Sequence, residues 1–245
     1  MEVVIVTGAA GGIGSVYAEG LAKAGYGVVA ADLQAPEQLA ARITAGSGTA
    51  LAVAVDVSDR ASTEAMAAKV EKAFGRIDGL VNNAAYYTAI VKKDFTELTD
   101  QEWDRCFAVN VRGAWLCARA VVSAMKRQGR GKIVNIASMT VPTAPPGFAH
   151  YIASKAAVIG LTRALARELG GDGICVNTLS PDYIAFDRDY DNRQPQMRQM
   201  LTAQRCIGRE ETAGDLLGTL LYLLGPGSDF VTGQDIWVNG GRAFG

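Results

Sequence analysis

A doubly wound α/β fold, with a parallel sheet of about seven strands covered by helices on both faces, is what this sequence predicts. Three observations carry that expectation. Short apolar runs alternate with longer amphipathic stretches along the whole chain. The apolar runs are continuous rather than alternating, as strands buried on both faces require. A glycine-rich turn separates the first apolar run from the first helical one. No internal repeat, low-complexity tract or linker interrupts the pattern, so one domain over residues 1–245 accounts for the length.

The elements follow in order. Val3–Thr7 reads as a strand, Ile13–Ala24 as a helix broken by Gly25-Tyr26-Gly27, and Val28–Ala31 as a second strand ending at Asp32. A helix over Pro36–Ala45 closes at Gly46-Ser47-Gly48, and Leu51–Val55 forms a third strand ending at Asp56. Ser58 is placed to cap a helix that runs to Phe74. Leu80–Val81 lies in strand four, which ends at Asn82-Asn83. Thr99 and Glu102 have the spacing of a capping box, and the helix they open is expected to run through Asn110 to Lys126. Ile133–Ile136 is strand five, ending at Ser138, and a loop rich in proline leads to a helix over Tyr151–Leu169. Ile174–Leu179 is strand six. Residues 182–209 are polar and read as a flexible substrate lid with some helix. Glu210–Leu224 is expected to be helical, and Asp235–Val238 to be the last strand.

Bulk composition narrows the function. Hydrophobic residues make up 49% and charged residues 20%, enough apolar side chains for a sizeable core. The formal net charge of -1 offers no basic face for nucleic acid. The densest basic cluster, Lys126-Arg127 with Arg130 and Lys132, reads as a solvated helix end and turn. No apolar run is long enough to cross a bilayer, and Met1-Glu2 leads straight into Val3–Val6 without the pattern of a secretory leader. Cys106, Cys117, Cys175 and Cys206 lie far apart, as reduced thiols of a cytoplasmic protein do. His150 is the only histidine, so no metal site is expected.

The turn Thr7-Gly8-Ala9-Ala10-Gly11-Gly12-Ile13-Gly14 has the chemistry of a pyrophosphate cradle. Gly8 permits the tight turn, Gly12 lets backbone approach the phosphates, and Gly14 allows close helix packing. The helix that follows offers free N–H groups and a favourable dipole. Asp32 stands 18 residues after Gly14, where a carboxylate accepts hydrogen bonds from ribose hydroxyls and repels a 2′-phosphate. No basic residue stands at Ala31, Leu33 or Gly11, so NAD(H) is expected in preference to NADP(H). Asp56, ahead of Val57, is read either as an acceptor for the adenine amino group or as a helix-entry acid.

Tyr151 and Lys155 are four residues apart on a helix and therefore share a face. A phenol titrates near pH ~10, and a neighbouring ammonium lowers that value. Ser138 ends a strand close to the cofactor turn, where its hydroxyl would bond a substrate oxygen. Asn110 is a poor helix former inside a helix, which a contact to a carbonyl or a water would explain.

Together these residues resemble the short-chain dehydrogenase/reductase family. Thr7–Gly14 is similar to its TGxxxGxG turn, Asn82-Asn83-Ala84 to its NNAG element and Tyr151–Lys155 to its YxxxK; Thr232-Gly233-Gln234 and Gly240-Gly241 resemble its C-terminal signature. The resemblance spans essentially the whole chain. It implies a Rossmann fold and a catalytic tetrad of Asn110, Ser138, Tyr151 and Lys155. In that tetrad Tyr151 exchanges a proton with an alcohol or carbonyl, Ser138 polarises the same oxygen, Lys155 lowers the tyrosine's pKa and holds the nicotinamide ribose, and Asn110 positions a relay water. It also implies cofactor contacts from Thr7, Gly8, Gly12, Ile13, Gly14, Asp32, Leu33, Asp56, Val57, Asn83, Ala84, Ala85, Pro181 and Ile184. Assembly is expected as a homotetramer or homodimer, built on the Asn110–Lys126 helix, the helix after Tyr151 and the last strand.

The chain departs from the family in places. Ala85 stands where glycine is usual, and Asn239 where an aspartate is common. Pro181 is followed by Asp182 instead of glycine, and Phe186 stands where a threonine often contacts the nicotinamide amide. Tyr86, Tyr87, Met139, Phe148 and Phe186 are expected to form an apolar, partly aromatic pocket, with His150 and Tyr183 as further substrate contacts. The activity read from these residues is hydride transfer between NAD(H) and a secondary alcohol or ketone, with an aromatic or alicyclic group. Enoyl reductases space tyrosine and lysine further apart, and sugar epimerases are longer. The competing class is a catalytically impaired dinucleotide sensor or scaffold on the same fold.

Overall fold

A computed structural model describes residues 1–184 and 195–245. Phe186 and residues 185–194 of the expected lid lie outside the described residues. The strands are β1 (Val3–Thr7), β2 (Gly27–Asp32), β3 (Thr49–Ala54), β4 (Gly79–Asn82), β5 (Gly131–Ile136), β6 (Ile174–Pro181) and β7 (Asp235–Val238). They form one sheet in the order β3-β2-β1-β4-β5-β6-β7, every pair parallel. Strand order reverses between β1 and β4, which opens a crevice at the carboxyl ends of the strands.

The helices are α1 (Gly12–Lys23), α2 (Glu37–Ala45), α3 (Arg60–Phe74), α4 (Asp100–Phe107), α5 (Gly113–Gln128), a short α6 (Thr140–Thr143), α7 (Ala149–Leu169), α8 (Pro195–Ala203) and α9 (Leu217–Leu224). They cover both faces. Val3 and Ile5 of β1 point into one apolar layer with Val70, Val121 and Met125 of α3 and α5. Val4 and Val6 point into the other with Tyr17, Leu21 and Leu220 of α1 and α9. The period-two alternation thus survives inside a strand buried on both sides.

Several local expectations are corrected. Asp59, not Ser58, caps α3: its Oδ2 accepts from Ser62 N at 2.9 Å. Ser58 instead bonds Asp56. The capping box at Thr99 and Glu102 is present. The helix it opens does not run uniformly to Lys126, because a π-turn over Ala108–Arg112 separates α4 from α5. The loop rich in proline contains α6. Residues 210–212 precede the last helical stretch, which begins as a 3₁₀ turn at Ala213. Lys132 is not solvated: it is 6% exposed, with Nζ 2.8 Å from Asp229 Oδ1 and 3.1 Å from Ser228 Oγ. Cys106, Cys117 and Cys175 are buried, and all four thiols are free. Among the described residues no helix is long and apolar enough to cross a membrane, and no cluster of metal-ligating side chains occurs.

Candidate active site

The glycine turn lies at the carboxyl end of β1. Gly8 sits at φ 67°, where a side chain would strain the backbone. A Cβ at Gly14 would fall 2.1 Å from Gly8 O and 2.7 Å from Asn83 Nδ2, so only glycine lets α1 start this close to β1. Asn83 donates to the carbonyls of Thr7 and Gly8 at 3.0 and 3.1 Å, and Thr7 Oγ1 accepts from the amides of Asn83 and Ala84. Thr7, Asn83 and Ala84 therefore act by fixing the turn. Gly11 supplies no capping side chain to α1, and a Cβ at Gly11 would meet nothing within 4 Å. The space beside Gly11 is open at the start of α1, and a helix start of this kind fits a dinucleotide pyrophosphate.

Asp32 closes β2 beside that turn. Its Oδ2 accepts from Ala10 N and its Oδ1 from Leu33 N, both at 2.8 Å. Each oxygen keeps acceptor capacity for a ribose hydroxyl. The Leu33 side chain is 63% exposed at the same edge. Asp56 is tied to Ser58, whose hydroxyl bond holds the carboxyl below its usual range. Val57 is buried against α5, where a Cβ on Gly113 would come within 2.8 Å of it.

The other end of the crevice gathers the expected tetrad. Tyr151 and Lys155 lie one turn apart on α7, and Lys155 Nζ sits 5.7 Å from the Tyr151 ring centroid. That ammonium donates to Ile136 O at 2.6 Å, tying α7 to the end of β5. Ser138 follows β5, and its hydroxyl acts on the Tyr151 phenol in the direction that favours the phenolate. Thr140, from α6, donates both its amide and its hydroxyl to Ser138 Oγ, at 3.1 and 3.0 Å.

Asn110 occupies the π-turn, a distortion frequent at functional sites. Its Oδ1 accepts from Tyr86 N at 2.7 Å and its Nδ2 donates to Ser154 Oγ at 2.9 Å. Ser154 in turn donates to Tyr151 O at 2.7 Å. The expected carbonyl contact is present in weak form, from Asn110 Nδ2 to Tyr86 O at 3.5 Å. Thr140 and Ser154 are the site residues that sequence reading missed. Their only signal was proximity to Ser138 and Tyr151 in the chain.

The electrostatics differ from the expectation in one respect. Burial, with Tyr87 second, pushes the Tyr151 phenol up, and the Ser138 bond opposes it only in part. Burial also holds the Lys155 ammonium down, to about 8. The expected lowering of the phenol by Lys155 is therefore not what sets its state here: burial dominates for both members of the pair.

Around the phenol, Tyr87 lies 5.1 Å and Phe148 6.2 Å from the Tyr151 ring, centroid to centroid, and Tyr87 stacks on Phe148 at 6.5 Å. These three rings form an apolar wall. Tyr86 is half-buried and contributes backbone to Asn110, and Ala85 is exposed. Met139 is 1% exposed and lies beneath the surface; its amide donates to Pro181 O at 2.9 Å. His150 is buried with Nδ1 unpartnered and close to Glu102 and Lys93; burial lowers its pKa. Tyr183 is half-buried and Ile184 buried, bridged to Glu211.

Comparison with known proteins places this geometry. The profile of a family described as enoyl-(acyl carrier protein) reductase matches residues 8–243. A 3-oxoacyl-[acyl-carrier-protein] reductase of Staphylococcus aureus is 34% identical over 97% of this chain and 96% of its own. A (2S)-[(R)-hydroxy(phenyl)methyl]succinyl-CoA dehydrogenase subunit of Thauera aromatica is 36% identical over 99% of this chain and 96% of its own. The crystal structure of a gluconate 5-dehydrogenase from Burkholderia cenocepacia, in complex with NADP and tartrate, superposes with a TM-score of 0.90 at 31% identity. It covers 98% of this chain and 94% of that one. With a dinucleotide cradle at one end of the crevice and a Ser–Tyr–Lys group at the other, this chain belongs to the short-chain dehydrogenase/reductase family of nicotinamide-dependent oxidoreductases.

Proposed function

We propose that the protein interconverts a secondary alcohol and a ketone with NAD(H), using Tyr151 as the acid/base. The observation that carries this is the convergence of Ser138, Tyr151 and Lys155 at the end of β5, in the same crevice as the glycine turn. When bound, the dinucleotide supplies or accepts the hydride. Ser138 and the Tyr151 hydroxyl donate to the substrate oxygen, and the Tyr151 proton passes to that oxygen as negative charge develops there. Thr140 orients the Ser138 hydroxyl through two bonds to its oxygen. Lys155, anchored on Ile136 O, keeps an ammonium near the phenolate. Asn110 holds Tyr86 N and, through Ser154, the first turn of α7, and in this reading it also positions the water that returns the proton.

NAD(H) is proposed over NADP(H). Asp32 presents a carboxylate where a 2′-phosphate would lie, and no arginine or lysine stands at Ala10, Gly11, Leu33 or Gln34. The gluconate 5-dehydrogenase with NADP shows that the fold alone does not decide this. An aromatic or alicyclic ketone is proposed as substrate because Tyr87 and Phe148 wall the phenol with rings. Assembly into a homotetramer or homodimer is supported by Trp103, Trp115, Phe230 and Phe244, which are 41%, 38%, 103% and 83% exposed.

The test is NADH consumption with a panel of ketones and one enoyl thioester, in wild type and Tyr151→Phe. The expected result is ketone turnover that falls roughly 10²–10⁴-fold in the variant, the range a general acid supplies, with NADH binding retained. Turnover of the enoyl thioester alone would move the assignment to carbon–carbon double-bond reduction. Tight NADH binding without any turnover would make the protein a dinucleotide sensor.

A further inference from the structure

The segment Pro181–Ile184 leaves β6 beside the reacting groups, with Pro181 O accepting from Met139 N, the residue after Ser138, at 2.9 Å. The next residue is gripped from behind. The Asp182 side chain is only 2% exposed. Its Oδ2 accepts from Arg205 Nε and Nη2 at 3.1 and 2.9 Å, and its Oδ1 from Arg242 Nη1 at 2.6 Å. Arg205 is 3% exposed and donates also to Tyr183 O at 2.9 Å. The Asp182 amide donates to Val238 O and to Glu211 Oε2, both at 3.2 Å. Burial, with Asp182 second, pushes the Glu211 carboxyl up to about 8, and Glu211 Oε2 lies 3.8 Å from Arg205 Nη2, against 2.9 Å for Asp182 Oδ2. Three remote stretches, 181–184, 204–211 and 238–242, therefore meet on one carboxylate.

Stability alone does not call for this arrangement. Taking such charges out of water costs several kcal/mol per ion, and well-packed apolar residues of similar volume are often as stable. What the ion pairs supply is a single backbone position for the segment whose carbonyl anchors the loop of Ser138. That segment lies at the reacting end of the crevice. β6 is three strands from β1, about 14 Å at the usual strand spacing, so the clasp is remote from the glycine turn and from Asp32.

We propose that Asp182, held by Arg205 and Arg242, is a positioning residue that fixes Pro181–Ile184 against the nicotinamide half of the dinucleotide and leaves the adenosine half untouched. The proposal rests on the dinucleotide reading of the crevice. It gives the departure at Asp182 a role: the anchor of the segment is a buried carboxylate held by two arginines.

Calorimetric titration with NADH and with ADP-ribose, which lacks the nicotinamide, separates the two halves. In Asp182→Asn, NADH is expected to bind about tenfold more weakly and ADP-ribose within about twofold of wild type, as loss of charge-assisted bonds at one end predicts. Arg242→Gln removes only the outer arm, whose side chain is 15% exposed, and decides the matter if Asp182→Asn does not fold. It is expected to weaken NADH by about threefold, with Arg242→Lys restoring most of the loss. Equal weakening of both ligands would make the clasp merely structural, and no change in either would remove its role; both results overturn the proposal. A wild type that binds neither ligand would instead refute the dinucleotide reading itself.

Discussion

At the β1–β2 end of the crevice the turn is shaped mainly by backbone, with the Asp32 carboxylate beside it, whereas the β5–β6 end is shaped by side chains. The first end is shaped by sterics: Gly8 at positive φ, Gly14 against Gly8 O, and Asn83 clamping two carbonyls. The second is shaped by buried polar groups that must be satisfied one by one: Lys155 on Ile136 O, Thr140 on Ser138, Ser154 on Tyr151 O, and Asp182 between two arginines. Binding a constant pyrophosphate needs shape and dipoles. Moving a proton needs groups whose charge state is set by enclosure. The two ends should therefore fail in different ways when altered.

The largest effect is expected at the steric end. Gly14→Ala places a methyl 2.1 Å from the backbone carbonyl oxygen of Gly8, which cannot swing aside as a side chain could. NADH affinity should fall roughly a hundredfold, about 2.7 kcal/mol, measured by titration. Retained affinity would show that the turn is looser than its geometry.

The next effect distinguishes the polar end. Lys155 has its pKa held down to about 8 by burial, from 10.5. Between those values the unfolded chain binds a proton that the folded protein has released, so the folded state gains stability with rising pH there, while the ammonium is lost from the site. Ketone reduction, which draws on that ammonium, should be flat below pH ~7 and fall as pH rises through about 8, up to tenfold per unit. The Gly14→Ala protein should keep the same profile at lower amplitude. A wild-type profile that is flat to pH ~10 would remove Lys155 from the charge balance.

The smallest effect concerns the acid at the β1–β2 end. Asp32→Asn keeps an acceptor for Leu33 N but removes the charge that opposes a 2′-phosphate. The ratio of kcat/KM for NADH over NADPH should fall about tenfold, or 1.4 kcal/mol. An unchanged ratio would place cofactor choice elsewhere.

The same division decides what the sequence reveals. The sheet, the glycine turn and the paired Tyr151 and Lys155 are legible because backbone rules and helical spacing act within a few residues. The π-turn at Asn110 is not, and the partner of its side chain, Tyr86 N, lies 24 positions away. Asp182 stands out as a departure, but its partners Arg205 and Arg242 lie 23 and 60 positions along the chain, where no local pattern points to them. Lys132 misleads for a related reason: it looks like part of a basic surface turn, and its counter-charge Asp229 arrives from a distant loop. The Tyr151 phenol is the subtler case. Spacing identifies the ammonium beside it, but only the fold shows that burial dominates.

The most direct measurement follows a deuterium label from C4 of the reduced nicotinamide into product. The wild-type protein, given NADH dideuterated at C4 and a ketone it reduces, is expected to deliver one deuterium to the carbinol carbon without exchange with water, and Tyr151→Phe to slow the transfer without changing the face of delivery. Product free of deuterium, or label scrambled with solvent, would contradict that expectation.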